Sequence, residues 1–164
     1  MKFVLLGDPV SQCRPRLGKG IVYDPNHAYK QKCRWIINNQ MIENRFKPLS
    51  NQPIGVRMTF YTPMTKYELK TQKKRNFENA WDLSKKDVDN LCKLYLDCMT
   101  KIVYPDDHFV VQLSAKKVKS YTPRVIIHVL AKNNNLLCPK YNIQRWIAKI
   151  KHVVNKRTRT RNAK

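Results

Sequence analysis

The run Asp87–Ile102 constrains this chain more than any other segment. It holds no proline or glycine, and apolar residues recur in it at helical spacing. At about 100° per residue, Leu94, Tyr95 and Cys98 fall within about 60° of Leu91. Asp89, Lys93 and Asp97, spaced four apart, fall near the opposite side and share a face. A helix with a core stripe and a separate acidic stripe is therefore expected, started by Ser84 or Asp87 as N-cap. Six of the eight aspartates of the chain (Asp82, Asp87, Asp89, Asp97, Asp106 and Asp107) lie in this run or beside it. The chain as a whole carries 33 Lys+Arg against 11 Asp+Glu, a net charge of +22. A dense carboxylate patch inside so basic a chain asks for a chemical reason.

The charge bounds the partner. A field of +22 gathers polyanions, either nucleic acid or an anionic membrane surface. No apolar run approaches the ~18 residues of a spanning helix, so nucleic acid is the expected partner and no membrane association is expected. Lys2 is followed by only four apolar residues before Gly7-Asp8-Pro9, too few for a secretion signal. Cys13, Cys33, Cys92, Cys98 and Cys138 are odd in number and form no C-x-x-C pair. Free thiols in a reducing, cytoplasmic setting are expected, not a disulfide framework or a zinc site.

The remaining segments read as an α+β chain. Lys2–Leu6 is a strand stopped by Gly7-Asp8-Pro9, and Ser11–Pro25 an ordered basic loop. His27–Phe46 reads as a helix that Asn26 caps and Pro48 ends, with Trp35, Ile36, Met41, Ile42 and Phe46 as its apolar positions. Pro53–Thr62 alternates as a half-buried strand, with Ile54, Val56, Met58 and Phe60 on one face. Residues 64–86 form a long basic excursion with Tyr67, Phe77 and Trp81 among the lysines and room for a helix in its middle. Asp107–Lys117 and Thr122–Ala131 read as two strands of a hairpin turning at Lys119-Ser120-Tyr121. Ile143, Trp146, Ile147, Ile150, Val153 and Val154 mark an amphipathic C-terminal helix before a basic tail. The expected architecture is a two-layer domain over 1–132, a mixed sheet with helices packed on it, plus a C-terminal helix and tail over 133–164.

Two readings of the acidic patch stand side by side. Asp87, Asp89 and an aspartate of Pro105-Asp106-Asp107, brought from two elements, suit a Mg²⁺ or Mn²⁺ site that leaves room for water and phosphate. Such a site hydrolyses phosphodiesters, with Lys93 orienting the nucleophile or offsetting charge on the phosphorus centre. Equally, aspartates cap helix starts and favour turns, and Asp89–Lys93–Asp97 forms an exposed ladder of ion pairs in the second reading.

The residues Lys86-Asp87-Val88-Asp89-Asn90-Leu91-Cys92-Lys93 through Asp97, followed by Asp106-Asp107 and a strand, resemble the RusA family of Holliday junction resolvases. The family pattern is D-x-D-N-L-x-K-x-x-x-D with a later D-D, and every position is matched. Arg14-Pro15-Arg16 followed by Tyr23-Asp24-Pro25 resembles a further element near the family's N-terminus. The resemblance spans about residues 1–131. It implies a homodimeric, Mg²⁺-dependent crossover junction endonuclease, for which Mn²⁺ substitutes, nicking two opposed strands of a four-way DNA junction in recombination and repair.

Carried over by position, Asp87, Asp89 and Asp107 are the metal-binding catalytic residues and Lys93 the essential lysine. The residue before Asp87 is Lys86 where the family often has proline, and the 64–86 insertion is longer than the family's. DNA contacts are expected from Arg14, Arg16, Lys74, Arg75, Lys86 and Lys117, against the bland alternative that these cations pair with carboxylates or solvent. Phe77 or Trp81 suits a wedge at the junction centre, or else a place in the core. Two other functions remain open on the sequence: a non-catalytic basic nucleic-acid-binding protein, and a DNA nuclease indifferent to branching.

Overall fold

The computed structural model describes residues 1–18, 20–50, 52–71 and 76–132. In chain order these form β1 (Lys2–Leu6), β2 (Arg16–Gly18), β3 (Ile21–Tyr23), α1 (His27–Glu43), β4 (Ile54–Pro63) and α2 (Lys66–Thr71). Then come α3 (Val88–Met99), a 3-10 turn (Asp107–Phe109), β5 (Val110–Ser120) and β6 (Arg124–Ala131). β1, β6, β4 and β5 lie in that order in one mixed sheet, and β2 pairs with β3 apart from it. β4–β5 is the parallel pair of the sheet; β1–β6 and β4–β6 are antiparallel. The C-terminal helix read over 143–154, and Lys74 and Arg75 of the basic excursion, lie outside the described residues.

The core lies between the sheet and the two longer helices. Phe3 and Leu5 of β1, Ile54, Val56, Met58 and Phe60 of β4, and Val125, Ile127 and Val129 of β6 present their alternate residues to it. α3 answers with Leu91, Leu94, Tyr95 and Cys98, the stripe expected from its sequence, joined by Cys92 and Met99. Its helix ends where Lys101 turns to φ 66°, so it is shorter at the C-terminal end than the apolar run suggested.

Three sequence expectations need correction. In α1 the buried face is Cys33, Ile37 and Met41, while Trp35 and Ile42 are exposed at 67% and 69%. Both stripes have helical spacing, so the sequence alone does not choose; packing of Cys33, Ile37 and Met41 into the common core does. α1 also stops at Glu43, since Arg45 takes φ 53°, and Phe46 folds back to pack edge-on against Phe3 with ring centroids 5.9 Å apart. Asn26 stands at the N-cap position, yet its side chain makes no cap bond. Its Oδ1 accepts from Cys13 N at 2.6 Å and its Nδ2 donates to Ser11 O at 3.3 Å, pinning the basic loop instead.

The third correction concerns β5 and β6, which are not a hairpin. β4 lies between them. It pairs with β5 along one edge and with β6 along the other, and its helix-facing residues are buried in the core. Pro63 cannot donate a ladder hydrogen bond and ends β4 beside Ser120. The link Tyr121–Pro123 then crosses that end, spanning two strand spacings of about 4.8 Å each.

Ile37→Ala is expected to lower unfolding free energy by about 2–5 kcal/mol, as for other buried aliphatic truncations. Trp35→Ala is expected to stay within about 0.5 kcal/mol. Urea denaturation of the two variants checks this; the larger loss at Trp35 would reverse the assignment of the buried face.

Candidate active site

α3 positions the acidic face because its opposite face is locked into the core. Asp89 and Lys93 of this helix, with Cys92 and Leu96, line an open cleft of about 530 Å³. Asp97 lies farther along the same wall, Asp107 comes from the 3-10 turn, and Leu113 and Ala115 of β5 form the floor. Asp87 is the N-cap residue, exposed, and does not line this cleft. Its side chain makes no cap bond; its nearest partner is Asn90, whose Nδ2 donates to Oδ2 at 3.5 Å.

The ladder of ion pairs along α3 is not formed. Among the described residues, Asp87, Asp89, Lys93 and Asp107 take part in no salt bridge. Asp97 pairs with Lys30 of α1 at 3.0 Å, and the same ammonium holds Asp24 at 2.9 Å. Asp106 and Asp107 divide their roles. Asp106 caps the 3-10 turn, accepting from His108 N at 3.1 Å and lying 3.1 Å from His108 Nδ1. That backbone bond, then the imidazole and Asp107, hold the Asp106 carboxyl below the usual range. Asp107 lines the cleft and forms no salt bridge among the described residues. Burial pushes the Cys92 thiol up to about 11, and the Asp89 carboxylate beside it acts in the same direction.

No three His, Cys, Asp or Glu side chains among the described residues stand close enough to enclose a metal ion, so the expected three-carboxylate cage is not assembled. The donor set still fits a hard divalent cation of another style. Mg²⁺ takes oxygen ligands and is commonly held by one or two carboxylates, with water and substrate phosphate completing its shell. Asp89 and Asp107, facing one open cleft without a neutralising partner, are donors of that kind.

The family described as Endodeoxyribonuclease RusA matches residues 7–130. The chain belongs to the RusA family. It is 29% identical over 134 residues to a Bacillus subtilis (strain 168) protein called uncharacterized protein YqaN, covering 79% of this chain and 94% of that one. It is 38% identical over 93 residues to the crossover junction endodeoxyribonuclease rusA of Lactococcus phage r1t, over 55% of this chain and 65% of that one.

This RusA-family chain ties its N-terminal loop to the helix that bears Asp89. Val10 N donates to Tyr95 Oη at 3.3 Å and Gln12 N to Asn90 O at 2.9 Å. Lys86 Nζ reaches Asp8 Oδ1 at 2.7 Å and Pro9 O at 2.8 Å. Arg14 and Arg16, which follow, are exposed and form no salt bridge among the described residues. Lys117 differs: its side chain is 9% exposed and donates to backbone carbonyls of Ser84 and Lys86. Trp81 is 72% exposed and Phe77 half-buried.

Sequence reasoning missed Arg34 and the weight of Asp82. Arg34 Nη1 donates at 3.2 Å to the carbonyls of both Asp97 and Thr100, closing the end of α3 beside Asp106 and Asp107. Its four-residue spacing from Lys30 on α1 was the available signal. Asp82 is buried, with Thr62 Oγ1 at 2.8 Å, Ser84 Oγ at 2.7 Å, Ser84 N at 3.0 Å and Lys119 Nζ at 3.2 Å. Burial disfavours its charge, but the Ser84 hydrogen bonds, helped by Thr62 and Lys119, bring its pKa down to about 2 from 3.8.

A carboxyl with a depressed folded-state pKa stabilises the fold above its unfolded value and loses that contribution as pH falls toward the folded one. Wild-type protein is therefore expected to lose about 2 kcal/mol of stability relative to Asp82→Asn between about pH 4 and pH 2. Parallel denaturation series check it; a stability difference constant over that range contradicts the assignment.

Proposed function

We propose that this protein resolves Holliday junctions, cutting four-way DNA by paired nicks in two opposed strands, as a divalent-metal-dependent homodimer in recombination and repair. The observation that carries the reading is the cleft itself. Asp89, Lys93 and Asp107 share it unpaired in a RusA-family chain of net charge +22. Cations are so abundant here that unneutralised carboxylates beside a lysine point to a ligand that needs both signs.

Mg²⁺ is the proposed cofactor, with Mn²⁺ able to substitute; Asp89 and Asp107 would hold it from the cleft, and Asp87, the N-cap residue outside the cleft lining, would have to turn toward it to join them. Held there, such a cation would offset charge on the scissile phosphate and would ease deprotonation of the attacking water. Lys93 sets its ammonium against the non-bridging phosphate oxygens, where negative charge grows as the bond to the leaving oxygen breaks. Arg14 and Arg16 grip flanking phosphates through planar forks matched to two oxygens. Lys74 and Arg75 add charge along the DNA path, Lys86 would join them on leaving Asp8 for a phosphate, and the exposed Trp81 suits a face for unstacked bases near the crossover.

One such cleft makes one incision. A two-fold junction needs two, and a symmetric dimer supplies them. Residues 1–132 carry this chemistry, and the basic 133–164 segment adds affinity for polyanions. No helix among the described residues is long and apolar enough to cross a membrane; action on DNA in the cytoplasm is part of the proposal.

The reading is tested with Asp89→Asn on a labelled four-way junction in Mg²⁺. Cleavage is expected to fall on the order of a thousandfold, the scale of losing one electrostatic contact to a transition state. Junction binding is expected to persist or tighten, since a negative charge facing phosphate has been removed. Cleavage at the wild-type rate would refute the role given to the cleft.

A further inference from the structure

Lys117 and Lys119 leave the same side of β5 as Leu113 and Ala115, the floor of the cleft, because alternate residues of a strand share a face. Their side chains are each 9% exposed. Lys117 Nζ lies 2.7 Å from Ser84 O, 2.6 Å from Lys86 O and 3.9 Å from Asp82 Oδ2. An ammonium has three protons to donate, and these acceptors surround it on the protein side. A charge so enclosed is retained only where such partners replace its water.

The two carbonyls belong to the irregular stretch that leads directly into Asp87, the first residue of α3's N-terminal boundary. That stretch is held from below as well. Asp82 N donates to Lys117 O at 3.2 Å, Lys119 N to Ala80 O at 2.8 Å, and Trp81 bridges Val118. On its far side the Lys86 ammonium grips Asp8 and Pro9. β5 thus serves both sides of the cleft: it begins just after Asp107 and, farther along, fixes the backbone before Asp87.

We propose that Lys117 is a positioning residue: it clamps the Ser84 and Lys86 carbonyls and thereby sets where α3 starts and where its Asp89 carboxylate stands in the cleft over β5, in place of touching DNA. The proposal rests on the nuclease reading for its consequence, not for its geometry. A phosphate contact and an anchor respond differently to substitution. An exposed cation on phosphate tolerates arginine. A clamp on two carbonyls and a carboxylate needs a point charge with three rotatable donors, which a planar guanidinium does not reproduce.

The test uses the full chain with Lys117→Met and Lys117→Arg. Hydrogen exchange without DNA or metal reads the anchor directly. Amides of residues 85–91 are expected to exchange about tenfold faster or more, with β1 and β6 at wild-type rates. On a four-way junction with Mg²⁺, single-turnover cleavage at saturating protein is expected to fall about 10- to 100-fold in both variants, as for other outer-shell partners of metal ligands. The slope of log affinity against log salt should not change.

A slope reduced by about 0.9 in Lys117→Met, restored in Lys117→Arg, with unchanged exchange at 85–91, would show a phosphate contact and overturn the proposal. If Lys117→Met loses its cooperative melt, Lys117→Arg decides by the same measurements. Wild-type protein that cuts no junction would refute the nuclease reading alone, and the exchange result would still decide the anchor.

Discussion

Keeping a few carboxylates free of salt bridges among the described residues, in a chain with 33 cationic side chains, is the constraint on which this structure turns. In a field of that sign every carboxylate has surplus partners, and five of the eleven are taken by lysines among the described residues: Asp8 by Lys86, Asp24 and Asp97 by Lys30, Asp82 by Lys119, Glu68 by Lys119. Asp89 and Asp107 form no salt bridge among the described residues, and two lysines near the cleft are engaged elsewhere. Lys117, two residues beyond Ala115 on the same face of β5, faces two carbonyls and Asp82, and Lys86 is turned toward the N-terminal loop. Lys93 is then the cation left facing the cleft among its lining residues.

The architecture follows from the same helix. α3 buries Leu91, Leu94, Tyr95 and Cys98, so its rotation is fixed by the core and the acidic face has no freedom to turn away. Tyr95 does double duty, filling the core against Phe60 and binding Val10 N and Tyr29 Oη through its hydroxyl. The loop leading to Arg14 and Arg16 is thereby registered against Asp89. Burial lifts the Tyr95 hydroxyl well above the ordinary phenol range, so it stays a neutral donor and acceptor. Core packing and the acidic cleft are two sides of one element.

What the sequence revealed and what it hid divide along a physical line. α3 was legible because its signal is periodic and local: stripe and acidic face sit 180° apart on one helix. β4 was legible for the same reason. The buried face of α1 was not, because Trp35 and Ile42 carry as good a spacing as Cys33, Ile37 and Met41, and only tertiary packing separates them. The β5–β6 hairpin was misread since turn residues speak for local pairing, whereas β4, 47 residues before β5 by its closing Pro63 and Val110, inserts between the two strands. The engagement of Lys86 and Lys117 was invisible for a related reason: their acceptors lie 78 and 31 to 33 positions away. A lysine's sequence neighbours do not say whether its ammonium meets phosphate, a carboxylate or a carbonyl.

The central claim is that the cleft between α3 and the start of β5 cuts branched DNA with the help of a divalent cation. The most direct measurement incubates the purified chain with a labelled synthetic four-way junction and, separately, with one of its linear duplex arms. Each is run with Mg²⁺ and with EDTA near ~0.15 M salt, where nonspecific attraction is partly screened. The account predicts symmetric paired nicks on the junction alone, lost with EDTA. A folded sample that binds the junction yet yields no metal-dependent product, or cuts duplex and junction equally, would contradict it.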